Sequence, residues 1–200
     1  EAKAGQLPRL LSDAYPRLEK ALWTLETAPH RVSSSAIETV DDLRAYLYRG
    51  PFVVDATLEA FLAQIKDPVA QQALATGGLG FLAGETFGGW GKINERAVGF
   101  MPLYENHVDG VTHKFTPINW DRQEGIEPLM IDGRPLVLPV RFMGFDRPTS
   151  FYIVEAHGTP VILVRQPEIN YALYGAGAEH DKVRMMAFSA RAYVEFFKYL

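Results

Sequence analysis

The ten residues from Thr76 to Glu85 read Thr-Gly-Gly-Leu-Gly-Phe-Leu-Ala-Gly-Glu, and they constrain this chain more than any others. Three glycines in four positions, Gly77, Gly78 and Gly80, exceed what a turn needs. Without side chains the backbone can close on an anion, and an apolar run that follows as a helix offers unpaired N–H groups and the positive end of its dipole. The segment reads as a phosphate or sugar-phosphate cradle. The bland alternative is that these glycines serve a turn or close packing between elements.

The remaining sequence organises itself around that cluster. From Leu7 to Thr27 apolar residues recur at three and four, giving one or two amphipathic helices around Pro16. Thr39-Val40-Asp41-Asp42 is a capped helix start running to about Tyr48, and Arg49-Gly50-Pro51 ends it. Phe52-Val53-Val54 is a short buried strand, and Thr57 to Lys66 with Pro68 to Ala75 reads as two further helices. The glycine loop then opens a helix of about two turns that Gly88-Gly89 stops. From Ala97 onward the pattern turns to strands: 97–104, 136–142, 151–156 and 161–164, the last three spaced as a β-meander. Trp120 to Pro135 reads as a surface loop with a turn at Asp132-Gly133, and Lys182 to Leu200 as a helix rich in Met, Phe and Tyr. The expected domains are a helical N-terminal segment, 1–50, and an α/β domain, 51–200.

Composition excludes several functions. With 20 Lys and Arg against 24 Asp and Glu, the formal charge is −4 and no basic run is present, which argues against a general nucleic-acid binder. The absence of cysteine rules out disulfides and cysteine-ligated zinc, and fits a cytoplasmic protein. No apolar stretch of about 18 residues marks a membrane span. His107 and His113 with Asp109 between them match no recognised metal site, so no metal is expected. Trp90 and Trp120 could stack on sugars, but packing is the simpler fate for both.

Residues 75–200 resemble the N-terminal domain of the α-glucan phosphorylases, within the phosphorylase and glycogen-synthase group of GT-B glycosyltransferases. The resemblance is carried by Gly77-Gly78-Leu79-Gly80 followed by Leu82-Ala83-Gly84-Glu85, where the family often has Asp in place of Glu85. Ala97 to Tyr104 is similar to the family's apolar strand, and Ala172-Leu173-Tyr174-Gly175 precedes an acidic patch and a long helix as it does in both branches. Synthases carry a lysine two residues before the glycine pair, where this chain has Ala75, so a nucleotide-sugar donor would lose a charge-assisted contact. The tail Met186 to Ala192 is closer to the synthase pattern.

The resemblance implies an α/β Rossmann-like N-terminal domain of a GT-B enzyme, with a helical N-terminal segment and a β-meander insertion. The implied activity is phosphorolysis of glycogen or maltodextrin to glucose 1-phosphate. Gly77, Gly78 and Gly80 would hold phosphate or developing charge, Leu79 would pack on the glucosyl ring, and Glu105, Asn106 and His107 could hydrogen-bond sugar hydroxyls. Pyridoxal phosphate would be bound by a second domain lacking from this chain, so the 200-residue chain alone is expected to be inactive. The implied partners are an α-glucan with phosphate or a sugar phosphate, and a homodimer or packing of the final helix against a missing C-terminal domain.

Three other functions stay open from sequence: a synthase-type glucosyltransferase, a non-catalytic carbohydrate-binding module, and an NAD-type oxidoreductase. For the last, Gly78-Leu79-Gly80-Phe81-Leu82-Ala83 matches the Gly-x-Gly-x-x-Ala fingerprint, with Glu105 about 25 residues on. That fingerprint needs a strand running into the first glycine, and Pro68 to Ala75 reads as helix.

Overall fold

In the computed structural model the described residues are 37–75, 78–93, 95–173 and 179–200. All of them fall within the unit that spans 33–200. The predicted helices between Leu7 and Thr27 lie outside the described residues.

Helix α1, Val40–Leu47, begins where the sequence says it should. Thr39 accepts a hydrogen bond from the Asp42 N–H while the Asp42 carboxylate accepts from the Thr39 N–H, a reciprocal capping box. Strand β1, Val53–Ala56, follows. Helix α2, Pro68–Leu74, is started by Asp67, whose carboxylate accepts from the Ala70 N–H, and by a proline in its first turn. Helix α3 spans Gly78–Lys92. Strand β2, Ala97–Pro102, is buried throughout.

The short strands β3, Asn106–Val108, and β4, Phe115–Pro117, form a ribbon. A 3-10 turn at Trp120–Arg122 leads to β5, Glu127–Pro128, and to the hairpin of β6, Met130–Ile131, with β7, Arg134–Pro135. Strands β8, Val137–Phe142, β9, Phe145–Ala156, and β10, Thr159–Arg165, run as a meander, and helix α4, Glu179–Tyr199, closes the described chain.

The main sheet has the order β1-β2-β10-β9-β5, with β8 beside the first half of β9. β1, β2 and β10 are mutually parallel, while β9 is antiparallel to β10, β5 and β8. The fold is therefore mixed α/β with a parallel core. The resemblance implied a β-meander insertion; the meander is instead part of the main sheet, because β10 supplies the third parallel strand.

Successive residues of β2 point to opposite faces, and the helices show it. A Cβ on Gly99 would come within 2.9 Å of the Phe87 ring of α3. The next residue, Phe100, packs its ring 4.7 Å from Tyr193, 5.6 Å from Phe196 and 5.2 Å from Phe197 of α4. Helices α3 and α4 thus cover opposite faces, giving three layers. Phe188 and Phe196 are fully buried, so the aromatic stripe of α4 is core.

Three sequence expectations are corrected. Thr57 to Lys66 is not helical, because Gln71 of α2 caps its backbone: the Leu62 N–H donates to Gln71 Oε1 and Gln71 Nε2 donates to the Leu62 carbonyl. Gly88 and Gly89 do not stop α3, which runs on to Lys92 because it packs along the sheet. Trp120 to Pro135 is not a plain surface loop, since Trp120, Ile126 and Leu129 are buried. Its turn is where expected, with Asp132 at φ 48° and Gly133 at φ 73°.

Candidate functional site at the carboxyl edge of the parallel strands

In open α/β sheets ligands bind beyond the carboxyl ends of the strands. Here that edge is built from the segments that follow β1, β2 and β10. They are tied together by Leu103 N–H to the Val164 carbonyl at 2.8 Å, Glu105 N–H to the Asn170 carbonyl at 2.9 Å, and the Tyr104 hydroxyl to the Leu58 carbonyl at 2.7 Å. Buried Asn170 donates from Nδ2 to the Val164 carbonyl at 2.6 Å.

The N-terminus of α3 reaches the same edge. The Phe61 N–H, in the segment after β1, donates to the Gly80 carbonyl at 2.8 Å. At its other end α3 meets the His157-Gly158 turn that precedes β10. The helix therefore runs antiparallel to the parallel strands and aims its positive end at their carboxyl edge.

The glycines of α3 divide into two kinds. A Cβ on Gly84 would collide with the Phe61 carbonyl oxygen, and one on Gly91 with the His157 carbonyl oxygen. On Gly88 it would stand 2.7 Å from the His157 ring, and on Gly80 2.7 Å from the Ala75 Cβ. These four are glycines because neighbouring backbone or side chains pack where a Cβ would stand. Gly78 and Gly89 are different: among the described residues nothing lies within 4 Å of their Cβ positions, and of the two only Gly78 is exposed in the first helical turn. Leu79 beside it is 72% exposed. Gly77 lies outside the described residues.

Other predicted residues are held by partners within the chain. Glu105 forms a bidentate ion pair with Arg165, at 2.7 Å to Nε and 3.1 Å to Nη2. That carboxylate raises the Arg165 pKa above its already high ordinary value, so the guanidinium stays charged. Arg165 Nη1 also donates to the Tyr152 hydroxyl at 3.1 Å, which donates to Asp121 at 3.1 Å. Asn106 is buried and its Nδ2 donates to the Tyr171 carbonyl at 2.9 Å. His107 sits half-buried on β3, opposite Thr116.

Sequence reading missed Glu59. It is only 7% exposed, and its carboxylate stands 3.1 Å from the Cβ position of Gly80. No sequence pattern marks it, because its place depends on the non-helical path after β1. Trp120 is buried and donates to the Tyr104 carbonyl at 2.8 Å, and Trp90 donates to Asp55 at 3.0 Å. Among the described residues no three His, Asp or Glu side chains converge as metal ligands. No described helix is long and apolar enough to cross a membrane.

No strand runs into the glycine cluster: β1 is separated from it by the Thr57 to Asp67 segment and α2. The dinucleotide fingerprint therefore lacks the context it needs.

No family model matches the chain, and no curated protein does. Among solved structures it is similar to the catalytic domain of starch synthase IV from Arabidopsis thaliana bound to ADP and acarbose. The identity is 21%, the match covers 73% of this chain and 25% of that one, and the TM-score is 0.46. The chain thus spans about a quarter of the length of that structure.

Proposed function

We propose that this chain is part of a glycosyltransferase acting on α-1,4-glucans, of the phosphorylase type, moving a glucosyl unit between the non-reducing end of a glucan and phosphate. The observation that carries the reading is Gly78. Neighbouring packing accounts for Gly80, Gly84, Gly88 and Gly91; of the two uncrowded glycines, Gly89 lies towards the other end of the helix, whereas Gly78 presents bare backbone at the positive end, on the sheet's carboxyl edge. Backbone N–H groups there are fixed before a ligand arrives, so they can stabilise a phosphate or a developing charge without reorganisation. Leu79, exposed beside them, offers an apolar face to a sugar ring. Buried Glu59 places a carboxylate beside the positive end of the helix and tempers it.

Ala75 supports phosphate in place of a nucleotide sugar, because it stands where a synthase-type donor would meet lysine, and it packs against Gly80. The synthase-like tail falls on Phe188, Ser189 and Ala192, which are buried packing positions of α4 and say nothing about the donor. Pyridoxal phosphate does not fit the described residues. Lys66, Lys92, Lys114, Lys182 and Lys198 are all exposed, whereas a covalently held cofactor needs an enclosed lysine. In this reading the cofactor is bound by a domain outside the chain, and the chain alone releases no glucose 1-phosphate from glycogen.

The test is amide chemical-shift mapping of the labelled 200-residue chain with glucose 1-phosphate, ADP-glucose and NADH. Shifts centred on Gly78 to Gly80 with glucose 1-phosphate support the reading. Tighter binding of ADP-glucose at those amides would replace it with a synthase, and a response to NADH alone would overturn it.

A further inference from the structure

Four side chains from four segments meet in one hydrogen-bonded network at the carboxyl edge. Glu105, in the segment after β2, grips Arg165 at the end of β10 through both carboxylate oxygens, at 2.7 and 3.1 Å. Arg165 Nη1 donates to the Tyr152 hydroxyl of β9, which donates to Asp121 in the 3-10 turn. The Glu105 and Arg165 side chains are only 17% and 22% exposed. An ion pair so far withdrawn from water regains little more than its desolvation cost. What the pair does supply is geometry, because a bidentate contact holds both partners in one orientation.

The orientation matters because of the residue before Glu105. Tyr104 is buried, and its hydroxyl donates to the Leu58 carbonyl at 2.7 Å. Three residues on, the Phe61 N–H donates to the Gly80 carbonyl at 2.8 Å, and the Phe61 carbonyl stands where a Cβ on Gly84 would. Three residues of extended chain span at most about 10 Å, so a shift at Leu58 meets little slack before it reaches α3. Ala60 and Leu62 tie the same segment to α2, through the Leu74 carbonyl at 3.1 Å and Gln71 Oε1 at 3.1 Å. Helix α2 thus holds the segment from one side, and Tyr104 holds it from the side of β2.

We propose that the Glu105–Arg165 pair is an ionic latch that sets the position of the α3 N-terminus through Tyr104 and residues 58–61. Glu105 and Arg165 are then positioning residues, which act on the site at Gly78 without touching its ligand. That the site takes a sugar phosphate rests on the function proposed above; the latch itself rests on the bonds.

Two variants cut this path at different links while keeping side-chain shape. Glu105→Gln keeps one acceptor for Arg165 and loses the charged bidentate contact. Tyr104→Phe keeps the ring and loses the hydroxyl that holds Leu58. In the ligand-free 200-residue chain each should speed amide hydrogen exchange at Phe61 at least about fivefold, the scale of one lost hydrogen bond. The Leu43 N–H of α1, bonded to the Thr39 carbonyl at 3.1 Å, should keep its rate. The double variant should exchange at Phe61 about as fast as the faster single variant, because both changes cut one path. Glucose 1-phosphate binding should weaken at least about threefold in each, since the donors at the helix start are then less well placed.

Equal acceleration at Phe61 and Leu43 would reveal a general loss of stability and overturn the latch. An unchanged Phe61 rate in either variant would overturn it too, as would effects that multiply in the double variant. Faster exchange at Phe61 with unaltered glucose 1-phosphate binding would overturn the latch's hold on the site. A chain that binds no glucose 1-phosphate in any form would overturn the proposed function alone, and the exchange rates would still decide the latch.

Discussion

At the scale of single residues, the glycines of α3 give opposite expectations from the same substitution. A glycine inside a helix costs roughly 0.5–1 kcal/mol relative to alanine, so those glycines of α3 that a Cβ would crowd are the ones packing requires. Gly84→Ala would drive a Cβ into the Phe61 carbonyl, and thermal or urea unfolding should show a loss of about 1–3 kcal/mol, the usual cost of overpacking. Gly78→Ala meets nothing among the described residues, so the same measurement should show no loss and a gain of up to about 1 kcal/mol. Glu59 supplies a third residue-level expectation. Its carboxylate opposes an anion at the helix N-terminus, so Glu59→Gln should tighten glucose 1-phosphate binding by about fivefold, the ~1 kcal/mol expected of like charges several ångströms apart in a partly solvated site. Unchanged or weaker binding in a titration would remove Glu59 from the site.

At the scale of elements, α1 depends on its capping box. Thr39→Ala should cost about 1 kcal/mol of stability in denaturant unfolding, because it leaves an N-terminal N–H of α1 without its side-chain acceptor. Helix α4 carries an alkaline liability. The Tyr193 hydroxyl is buried beside Ser189, and burial raises its pKa above the ordinary 10.0. A raised folded-state pKa gives stability that is complete below about pH 10 and is lost as pH climbs through the folded value. Tyr193→Phe should therefore flatten the fall in melting temperature above pH 10. Burial also raises Tyr46 and Tyr152, so part of the fall should remain.

The elements that were legible in the sequence are those whose signals are local. The α1 cap, the proline start of α2 and the apolar runs of β2 and β8 to β10 declare themselves within a few residues. The Thr57 to Lys66 segment carries Leu58, Phe61, Leu62 and Ile65 at helical spacing, yet a side chain from α2 satisfies its backbone, which no local pattern reveals. The candidate site was half legible for the same reason. Glycine density marked the α3 N-terminus, while Glu59 and Arg165 reach the carboxyl edge only through the tertiary path. Glu105 and Asn106 were singled out by position after an apolar strand, and that position also gives them partners, Arg165 and the Tyr171 carbonyl.

At the scale of the whole molecule, a parallel core covered on both faces places every strand-to-helix transition of β1, β2 and β10 on one edge. Phe100 ties that core to α4, so Phe100→Ala should cost about 3–5 kcal/mol in equilibrium unfolding, as removal of a buried ring does. In the proposed function the edge binds a ligand through the backbone that Gly78 leaves bare at the start of α3. The most direct measurement is Gly78→Ala, read on one preparation by a melting curve and by glucose 1-phosphate titration. The account predicts an unchanged or raised melting temperature together with at least about tenfold weaker binding, roughly 1.4 kcal/mol. A variant that melts early and binds normally would show that Gly78 is a packing glycine and would contradict the account.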